Sequence, residues 1–317
     1  MRALVTGCAG FIGSHLSESL LEDGYEVVGV DCFNDNYARR NKLSNLSHVS
    51  DWDGFEFVPI DLSRGDLVDL VADVDIVYHQ AAEPGVRPSW STGFERYLRN
   101  NVLATQHLLE ALRLRPGKRL IYASSSSVYG QAERWPTPEE TLPHPYSPYG
   151  VTKLAAEQLC SLYSGNYGTD IVSLRYFSVY GPRQRPDMAF RTFCERALDG
   201  EAIEVFGDGR QTRDFTFVAD VVRANRLAAE ADAAGAVLNI GGGSEISLAS
   251  TIDLLREISG LAMDVVHRPQ QAGDVRDTRA DVTLARSTLG YEPTVGIEDG
   301  LRREFEWVLA QRTMAAP

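Results

Sequence analysis

Short apolar runs rich in β-branched residues alternate with longer amphipathic stretches through the first half of the chain. The runs predict buried strands, and the stretches between them predict helices. This alternation is typical of a parallel sheet with right-handed crossovers and with helices on both faces. Ligands on such sheets bind beyond the carboxyl ends of the strands. The predicted strands are Ala3–Val5, Glu26–Asp31, Phe55–Ile60, Asp75–His79, Arg119–Ala123 and Ile171–Tyr176.

After Tyr176 the alternation weakens, and the pattern predicts loops around Gly181–Met188 and Gly207–Arg213. One further strand is expected to return to the sheet, and the tail 313–317 is expected to fray. We interpret the chain as α/β, with a doubly wound parallel sheet and a smaller C-terminal lobe. The other elements predicted here are the helices Val218–Glu230, Leu248–Ile258 and Ile297–Leu309 and the strand Val237–Ile240.

Composition narrows the class of protein. The 317 residues carry 44 acidic against 31 basic side chains, a net charge of −13, which would repel nucleic acid and anionic membrane surfaces. No apolar stretch reaches the roughly 18 residues of a membrane span, and the strand-like start at Met1–Gly7 leaves no room for a signal peptide. We therefore expect a cytoplasmic protein with reduced thiols and no metal site. Its four widely spaced cysteines are Cys8, Cys32, Cys160 and Cys194.

Three glycines follow the first predicted strand, at Gly7, Gly10 and Gly13, and a helix is predicted from there through Leu21. Glycines at such a turn let a pyrophosphate approach the backbone, and the helix N-terminus offers free N–H groups to it. The second strand ends at Asp31, whose carboxylate would accept the adenine ribose hydroxyls and repel a 2′-phosphate. NAD is therefore favoured over NADP. The alternative is a helix-capping turn with an incidental surface aspartate.

A tyrosine and a lysine, Tyr149 and Lys153, stand four residues apart after a helix start at Ser147-Pro148 and so share one helical face. Only three of the 31 basic residues are lysine, so the pairing is informative. A phenol is a poor base at neutral pH unless a cation, here Lys153 or a nicotinamide ring, favours its phenolate. The fifth strand brings Ser124–Ser127 to the same edge, where a hydroxyl can hold a substrate oxygen. The set indicates hydride transfer at a carbinol carbon; the alternative is a serine-rich turn and an exposed helix pair.

These motifs resemble the extended short-chain dehydrogenase/reductase family, and within it the nucleotide-sugar epimerases and dehydratases. The resemblance covers nearly the whole chain and also includes His79-Gln80-Ala81-Ala82, Asn100-Asn101-Val102 and Arg175-Tyr176-Phe177. It implies a Rossmann-type NAD-binding domain over residues 1–177, with 214–243 returning to the sheet. It also implies a nucleotide-sugar-binding lobe over residues 178–213 and 244–317.

The resemblance implies the site residues as well. Catalysis would rest on Tyr149, Lys153 and Ser125. The implied NAD contacts are Gly7, Gly10, Phe11, Ile12, Gly13, Asp31, Asn34, Asp61, Leu62, Ala81, Asn100, Tyr149, Lys153 and Tyr176. A homodimer would form by pairing the helices Glu95–Leu114 and Tyr149–Tyr167 into a four-helix bundle. Its apolar face would use a stripe that could equally serve an ordinary core: Leu108, Leu112, Leu154, Leu162 and Tyr163.

Departures from each family pattern favour one subfamily. The 4,6-dehydratases carry Asp-Glu where this chain has Ser126-Ser127, and the UDP-glucuronate decarboxylases usually carry Glu at the second of these positions. UDP-glucose 4-epimerases typically have Asn where this chain has Ser178. The stretch Val179–Met188, with Gly85-Val86-Arg87, is similar to the UDP-glucuronate 4-epimerases.

We therefore predict an NAD-dependent enzyme that epimerises UDP-glucuronate to UDP-galacturonate by transient oxidation at C4, rotation of the 4-keto sugar and re-reduction. A 4-keto glucuronate is a β-keto acid, and charge-assisted hydrogen bonds would hold its carboxylate against loss of CO₂. The predicted substrate contacts are Arg87, Ser125, Ser126, Ser127, Tyr149, Ser178, Arg185, Val205, Phe206, Arg213, Asp274 and Arg276. With 28 arginines in the chain, single arginines also have a structural alternative.

Other functions remain open at this stage. Within the enzymes the alternatives are a UDP-glucose 4-epimerase, then a UDP-glucuronate decarboxylase or a reductase that uses external NADPH. Outside the enzymes the alternative is an NAD-binding regulatory sensor. The presence of Ser125, Tyr149 and Lys153 together argues against the sensor.

Overall fold

Strands and helices alternate in the computed structural model, which describes residues 1–315. The strands are β1 (Arg2–Thr6), β2 (Glu26–Asp31), β3 (Phe55–Pro59), β4 (Ile76–His79), β5 (Arg119–Ser125), β6 (Asp170–Tyr176), β7 (Val179–Tyr180), β8 (Ile203–Phe206), β9 (Thr212–Asp214), β10 (Thr216–Phe217), β11 (Val237–Ile240), β12 (Glu245–Ser247) and β13 (Val265–Arg268). The helices are α1 (Phe11–Glu22), α2 (Arg39–Leu46), α3 (Phe94–Tyr97), α4 (Ala104–Leu114), α5 (Pro148–Tyr167), α6 (Ala189–Asp199), α7 (Val218–Glu230), α8 (Leu248–Ser259), α9 (Thr283–Leu289) and α10 (Ile297–Ala315).

Seven of these strands form one parallel sheet in the order β11-β6-β5-β4-β1-β2-β3. The chain runs outward from β1 in both directions, so the point where the strand order reverses lies between β1 and β4. A crevice opens at such a point, at the carboxyl ends of the strands. Each strand predicted from the sequence is present to within two residues, and the predicted return strand is β11 beside β6.

Both faces of the sheet are covered because successive strand side chains point to opposite sides. On β1, Ala3 and Val5 belong to the core that includes Leu16 of α1, whereas Leu4 between them belongs to the core that includes Leu108 of α4. All five of these side chains are fully buried. This two-sided packing explains why the central strands are apolar throughout.

The part of the chain outside the seven-stranded sheet differs most from the sequence-based expectation. Helix α6 and three two-stranded pairings (β10 with β7, β12 with β9, and β13 with β8) were not predicted. The predicted loop 207–213 is partly wrong, because its last two residues belong to β9. These strands have two to four residues each, too short to give a periodic signal. Helix α10 extends to Ala315 and so includes the first three residues of the tail predicted to fray, and residues 316–317 lie outside the described residues.

The two helices expected to form a dimer face are present, with a π-helical turn at Leu98–Leu103 joining α3 to α4. Of the predicted apolar stripe, Leu108, Leu112 and Tyr163 are buried in the chain's own core, and Leu162 is exposed. Most of that stripe therefore serves an ordinary core. Within residues 1–315, the structure contains no helix that combines the length and apolarity needed to cross a bilayer.

Candidate active site

A cavity of about 420 Å³ lies at the carboxyl ends of the sheet strands, where the sequence predicts a ligand. All fourteen residues predicted to contact a dinucleotide line it: Gly7, Gly10, Phe11, Ile12, Gly13, Asp31, Asn34, Asp61, Leu62, Ala81, Asn100, Tyr149, Lys153 and Tyr176. It is also lined by six of the predicted substrate contacts, one of them shared with that set: Ser125, Ser126, Ser127, Tyr149, Ser178 and Arg185.

The turn from β1 into α1 is built for close approach of a ligand to backbone. Gly7 has φ +72°, and a Cβ there would lie 2.9 Å from Ala81. A Cβ on Gly13 would lie 2.2 Å from the carbonyl oxygen of Gly7, so only glycine fits. Gly10 caps α1, and the first turn carries no acidic side chain. The free N–H groups of this turn therefore fit a pyrophosphate.

The end of β2 supplies a buried carboxylate beside a lysine. Oδ1 of Asp31 accepts a hydrogen bond from the Phe33 N–H at 2.8 Å and another from Nζ of Lys42 at 3.4 Å. Lys42 also donates to Oδ1 of Asn34. The geometry fits recognition of ribose hydroxyls by Asp31. Sequence reasoning missed Lys42, although the scarcity of lysine was a signal that pointed to it.

Tyr149 and Lys153 face the cavity from α5, as their spacing predicts. The helix begins as expected, since the Ser147 hydroxyl accepts a hydrogen bond from the Gly150 N–H at 3.1 Å and Pro148 occupies the first turn. Nζ of Lys153 donates to the carbonyl oxygen of Ala123 at 2.5 Å. Lys153 is thus held against strand β5 at the floor of the cavity.

Burial shifts the pKa of both Tyr149 and Lys153. It lowers the pKa of Lys153 to about 8, a shift that Cys160 and Glu157 oppose. Burial raises the pKa of the Tyr149 phenol, and the Ser125 hydroxyl and the charge of Arg185 oppose that rise. Ser125 and Arg185 are therefore groups of the protein itself that favour the phenolate.

The serine run divides between two tasks. The Ser125 hydroxyl accepts a hydrogen bond from the Ser127 N–H at 3.1 Å, which turns the chain into a short 3₁₀ segment along the cavity. Ser124 donates to Oε2 of Glu157 at 2.5 Å, and Glu157 forms an ion pair with Arg175 at 2.6 Å. Both charged side chains are buried. Sequence reasoning missed Glu157, which lies four residues after Lys153 and so on the same face of α5.

The segment after β6 brings Ser178 and Arg185 to the cavity. The Arg185 guanidinium contacts both carboxylate oxygens of Asp187, at 3.0 and 2.8 Å. The segment is anchored to the sheet domain because Arg183 pairs with Glu18 at 2.5 Å. The backbone of Arg183 has φ +65°, unusual for a residue other than glycine, and such conformations persist where surrounding contacts enforce them.

The remaining predicted substrate residues form a second cluster outside the cavity lining. The Arg87 side chain lies over the ring of Phe206 at 4.1 Å and pairs with Asp274 at 2.9 Å. Arg213 donates to backbone carbonyls of the Asp274 loop, including that of Arg276 at 2.7 Å. The loop lies next to the cavity, since Gly273 packs close to Val86, which is one of the residues that line the cavity. Val205 is buried.

Tyr176 illustrates how the cavity wall is fixed. Its hydroxyl accepts a hydrogen bond from Nδ2 of Asn225 at 2.7 Å and donates to Gln80 at 3.2 Å. Gln80 in turn donates to Asn225 at 2.9 Å. Three elements, β6, α7 and the segment after β4, are thereby joined below the site, a closure that no local sequence pattern reveals.

A solved structure is similar to nearly the whole chain. The chain is similar to the UDP-glucuronic acid 4-epimerase of Bacillus cereus in complex with UDP-glucuronic acid and NAD, with a TM-score of 0.95 and 43% identity. The match covers 98% of this chain and 100% of that one. The fold predicted from the sequence is therefore confirmed.

Two curated relatives are similar in sequence. One, an uncharacterized UDP-glucose epimerase (YtcB) of Bacillus subtilis, is 41% identical over 310 residues, covering 97% of this chain and 98% of the relative. The other is the UDP-glucuronate 4-epimerase of Thermodesulfobacterium geofontis, 37% identical over 310 residues, covering 96% and 95%. The model of the NAD dependent epimerase/dehydratase family matches residues 3–241. The resemblance seen in the sequence is thus confirmed: the chain belongs to the NAD-dependent epimerase/dehydratase family.

Proposed function

We propose that this protein is an NAD-dependent 4-epimerase that interconverts UDP-glucuronate and UDP-galacturonate. The observation that carries the proposal is the meeting of two sets of groups in one cavity. One set, Tyr149, Lys153 and Ser125, suits oxidation of a carbinol; the other, Ser178 and Arg185 with the serine run, suits a carboxylate. The Bacillus cereus structure, described as a UDP-glucuronic acid 4-epimerase, supports the substrate assignment.

The residues around the glycine turn fit the cofactor, as their close packing and free N–H groups indicate. In this proposal the turn from Gly7 to Gly13 binds the pyrophosphate, Asp31 and Asn34 hold the adenine ribose, and Asp61 and Leu62 flank the adenine. Ala81, Asn100, Lys153 and Tyr176 contact the remainder of the cofactor. When bound, NAD would supply the acceptor for the hydride of the sugar C4 and the donor of that hydride for re-reduction from the other face.

Tyr149 takes the proton of the 4-hydroxyl as the hydride leaves and gives it back to O4 on return. Because burial raises its pKa, the phenolate needs positive charge nearby. Arg185 supplies part of that charge, and we expect Lys153 and the oxidised nicotinamide ring to supply the rest. Ser125 holds O4 within reach of the phenol.

The sugar carboxylate exposes this substrate to a side reaction. Once the sugar is oxidised to its 4-keto form, it can lose CO₂ when the C5–C6 bond stands perpendicular to the ketone. Hydrogen bonds from Ser126, Ser127 and Ser178, with the guanidinium of Arg185, would keep the carboxylate charged and fix its rotation. The carboxylate of Asp187 forms an ion pair with the Arg185 guanidinium. The site therefore combines donors for a uronate with a residue that orients the arginine.

The second cluster would anchor the UDP while the sugar turns over. Arg87, Arg213 and Arg276 provide positive charge for a diphosphate, Phe206 an apolar face for the uracil, and Asp274 a partner that orients Arg87. Val205 would contribute through β8, which carries Phe206 at its end. A fixed UDP lets the sugar present either face to the same hydride position.

We further propose a cytoplasmic homodimer. The four cysteines are free thiols, in keeping with a reducing compartment. The helices of the expected four-helix bundle leave apolar side chains exposed at Leu98, Leu103, Val151 and Leu162. Sedimentation of the protein at several concentrations tests the dimer, and Leu103→Glu should shift it toward the monomer if this face pairs.

Incubation of the purified protein with UDP-glucuronate, followed by proton NMR of the sugar, tests the activity. The proposal expects galacturonate signals that reach the same ratio from either substrate. A pentose product would instead indicate a decarboxylase, and no turnover together with copurified NAD would indicate a sensor. UDP-glucose is assayed in parallel, because the Bacillus subtilis relative is described as a UDP-glucose epimerase.

A further inference from the structure

A buried acidic residue, Glu83, lies directly behind the cavity wall. It follows β4 in the segment whose neighbours Ala82 and Pro84 line the cavity, and its relative exposure is 0%. Sequence reasoning assigned it no role. An ionised carboxylate in such a place is costly unless other groups pair with it, so its partners indicate what it does.

The Glu83 carboxylate has partners from two other segments of the cavity wall. Its Oε2 accepts hydrogen bonds from Nδ2 of Asn34 at 3.0 Å and from Nδ2 of Asn100 at 3.1 Å. Its Oε1 lies 3.0 Å from Nη2 of Arg96. Asn34 and Asn100 both line the cavity. One carboxylate therefore joins the segment after β2 to the helical segment before α4.

Both of those links continue beyond Glu83. Asn34 also accepts from Lys42, and Lys42 contacts Asp31, so the carboxylate holds the adenosine side of the cavity through Asn34. Arg96 pairs with Asp35 at 3.2 Å, which adds a second tie to the same segment. The network leads from the helical segment to the residue proposed to bind the ribose.

The backbone of Glu83 is held as firmly as its side chain. Its N–H donates to Oδ1 of Asn101 at 2.6 Å, and its carbonyl oxygen accepts from Nδ2 of Asn101 at 3.0 Å. The same Nδ2 donates to the hydroxyl of Thr152 at 3.0 Å, on the helix that carries Tyr149 and Lys153. The carboxylate thus has a fixed position relative to the catalytic helix.

We propose that Glu83 is a positioning residue that retains NAD between turnovers by tying the segment after β2 to the helical segment at 96–101. The inference rests on the proposed function, because an epimerase without net redox must return the hydride from the cofactor that received it. Release of NAD requires the walls of its cavity to separate, and each link through Glu83 resists that separation. Loss of the carboxylate therefore accelerates release without altering the reacting groups.

The partners of Glu83 oppose the effect of its burial. Burial raises its pKa, whereas Arg96, Asn100, Asn34 and Lys42 lower it. Replacement by glutamine keeps the shape and removes the charge. Glu83→Gln thus removes the ion pair with Arg96. It also places an amide NH₂ group, which can only donate hydrogen bonds, against partners that are themselves donors.

The experiment measures NAD itself, on protein purified with its cofactor and without any UDP-sugar. The NAD content per chain is determined by absorbance after denaturation, and the release rate is followed after dilution into an enzyme system that consumes free NAD. We expect Glu83→Gln and Arg96→Gln to release NAD at least tenfold faster than the wild type. The matched control is Glu95→Gln, an exposed carboxylate one residue before Arg96 that pairs only with Arg99 among the ion pairs of residues 1–315; its release rate should stay within twofold.

Two further readouts separate positioning from a general loss of structure. The Glu83→Gln enzyme should regain wild-type turnover when NAD is added to the assay, and its KM for the UDP-sugar should then be unchanged. If Glu83→Gln does not fold, the NAD release rate of Arg96→Gln, which keeps the buried carboxylate, tests the proposal instead. Unchanged release rates in the variants, or a wild type that exchanges NAD within seconds, would overturn the proposal. Because release is measured without substrate, a failure to epimerise UDP-glucuronate leaves this test intact.

Discussion

Nζ of Lys153 donates a hydrogen bond of 2.5 Å to the carbonyl oxygen of Ala123. The bond ties the helix that carries Tyr149 to the strand that carries Ser125 two residues further on. Close packing supports it, since a Cβ on Gly150 would lie 2.5 Å from the carbonyl oxygen of Ser127. The helix and the strand therefore hold Tyr149 and Ser125 in a fixed position relative to each other.

Tyr149→Phe should lower turnover of the UDP-sugar by about a thousandfold, because it removes the group that moves the O4 proton. NAD content should stay at the wild-type level, since the aromatic ring is kept. The control is Tyr146→Phe, at a half-exposed tyrosine three residues earlier. Turnover within tenfold of the wild type in Tyr149→Phe would exclude Tyr149 as the proton carrier.

Lys153 gives a pH dependence whose sign follows from its depressed pKa of about 8. Between about pH 8 and its unfolded pKa of roughly 10.4, the unfolded chain binds a proton that the folded chain has lost. The contribution of Lys153 to the free energy of unfolding should therefore rise with pH across this window, and this contribution should be absent from Lys153→Met. Denaturant unfolding of both proteins at pH 7 to 10 measures the difference. Parallel curves for the two proteins would contradict the depressed pKa.

Arg185→Met should raise KM for UDP-glucuronate about tenfold to a hundredfold, because a hydrogen bond between charged groups contributes roughly 1.5–3 kcal/mol. UDP-glucose, which has no carboxylate, should show little change. An exposed arginine, Arg134→Met, serves as the control. An equal effect on both sugars would show that Arg185 acts on the phenol or the fold instead of the uronate.

Glu157→Gln should lower the free energy of unfolding by about 3 kcal/mol or more, because it leaves the buried Arg175 guanidinium without its charge partner. The double variant Glu157→Gln with Arg175→Met should regain part of that loss. Denaturant unfolding of the three proteins gives the coupling. If the two single losses simply add, the two side chains do not stabilise the fold as a pair.

Gly13→Ala and Gly165→Ala form a matched pair of helix substitutions. The first places a Cβ 2.2 Å from the Gly7 carbonyl oxygen, so it should distort the glycine turn and abolish NAD copurification. The second meets nothing within 4 Å and should stabilise α5 by up to about 1 kcal/mol. Normal NAD content in Gly13→Ala would show that the turn tolerates displacement.

Local patterns were sufficient for the sheet strands, the glycine turn and the Tyr149–Lys153 face. Each depends on a short spacing along the chain: alternation along a strand, glycines three residues apart, or two helical residues four positions apart. The scarcity of lysine pointed to Lys153 and would also have pointed to Lys42. The third lysine, Lys118, instead donates to backbone carbonyls of Ala72 and Val74.

The short strands of the smaller lobe and the partners of the site residues were decided by tertiary structure alone. Arg87 and Asp274 are 187 positions apart, and Glu83 meets Asn34 across 49 positions. No period in the chain encodes such meetings, because they depend on which segments the sheet order brings to one edge. The sequence thus determined the sheet strands, the glycine turn and the pairing of Tyr149 with Lys153, whereas the packing of distant segments decided which charges are buried together.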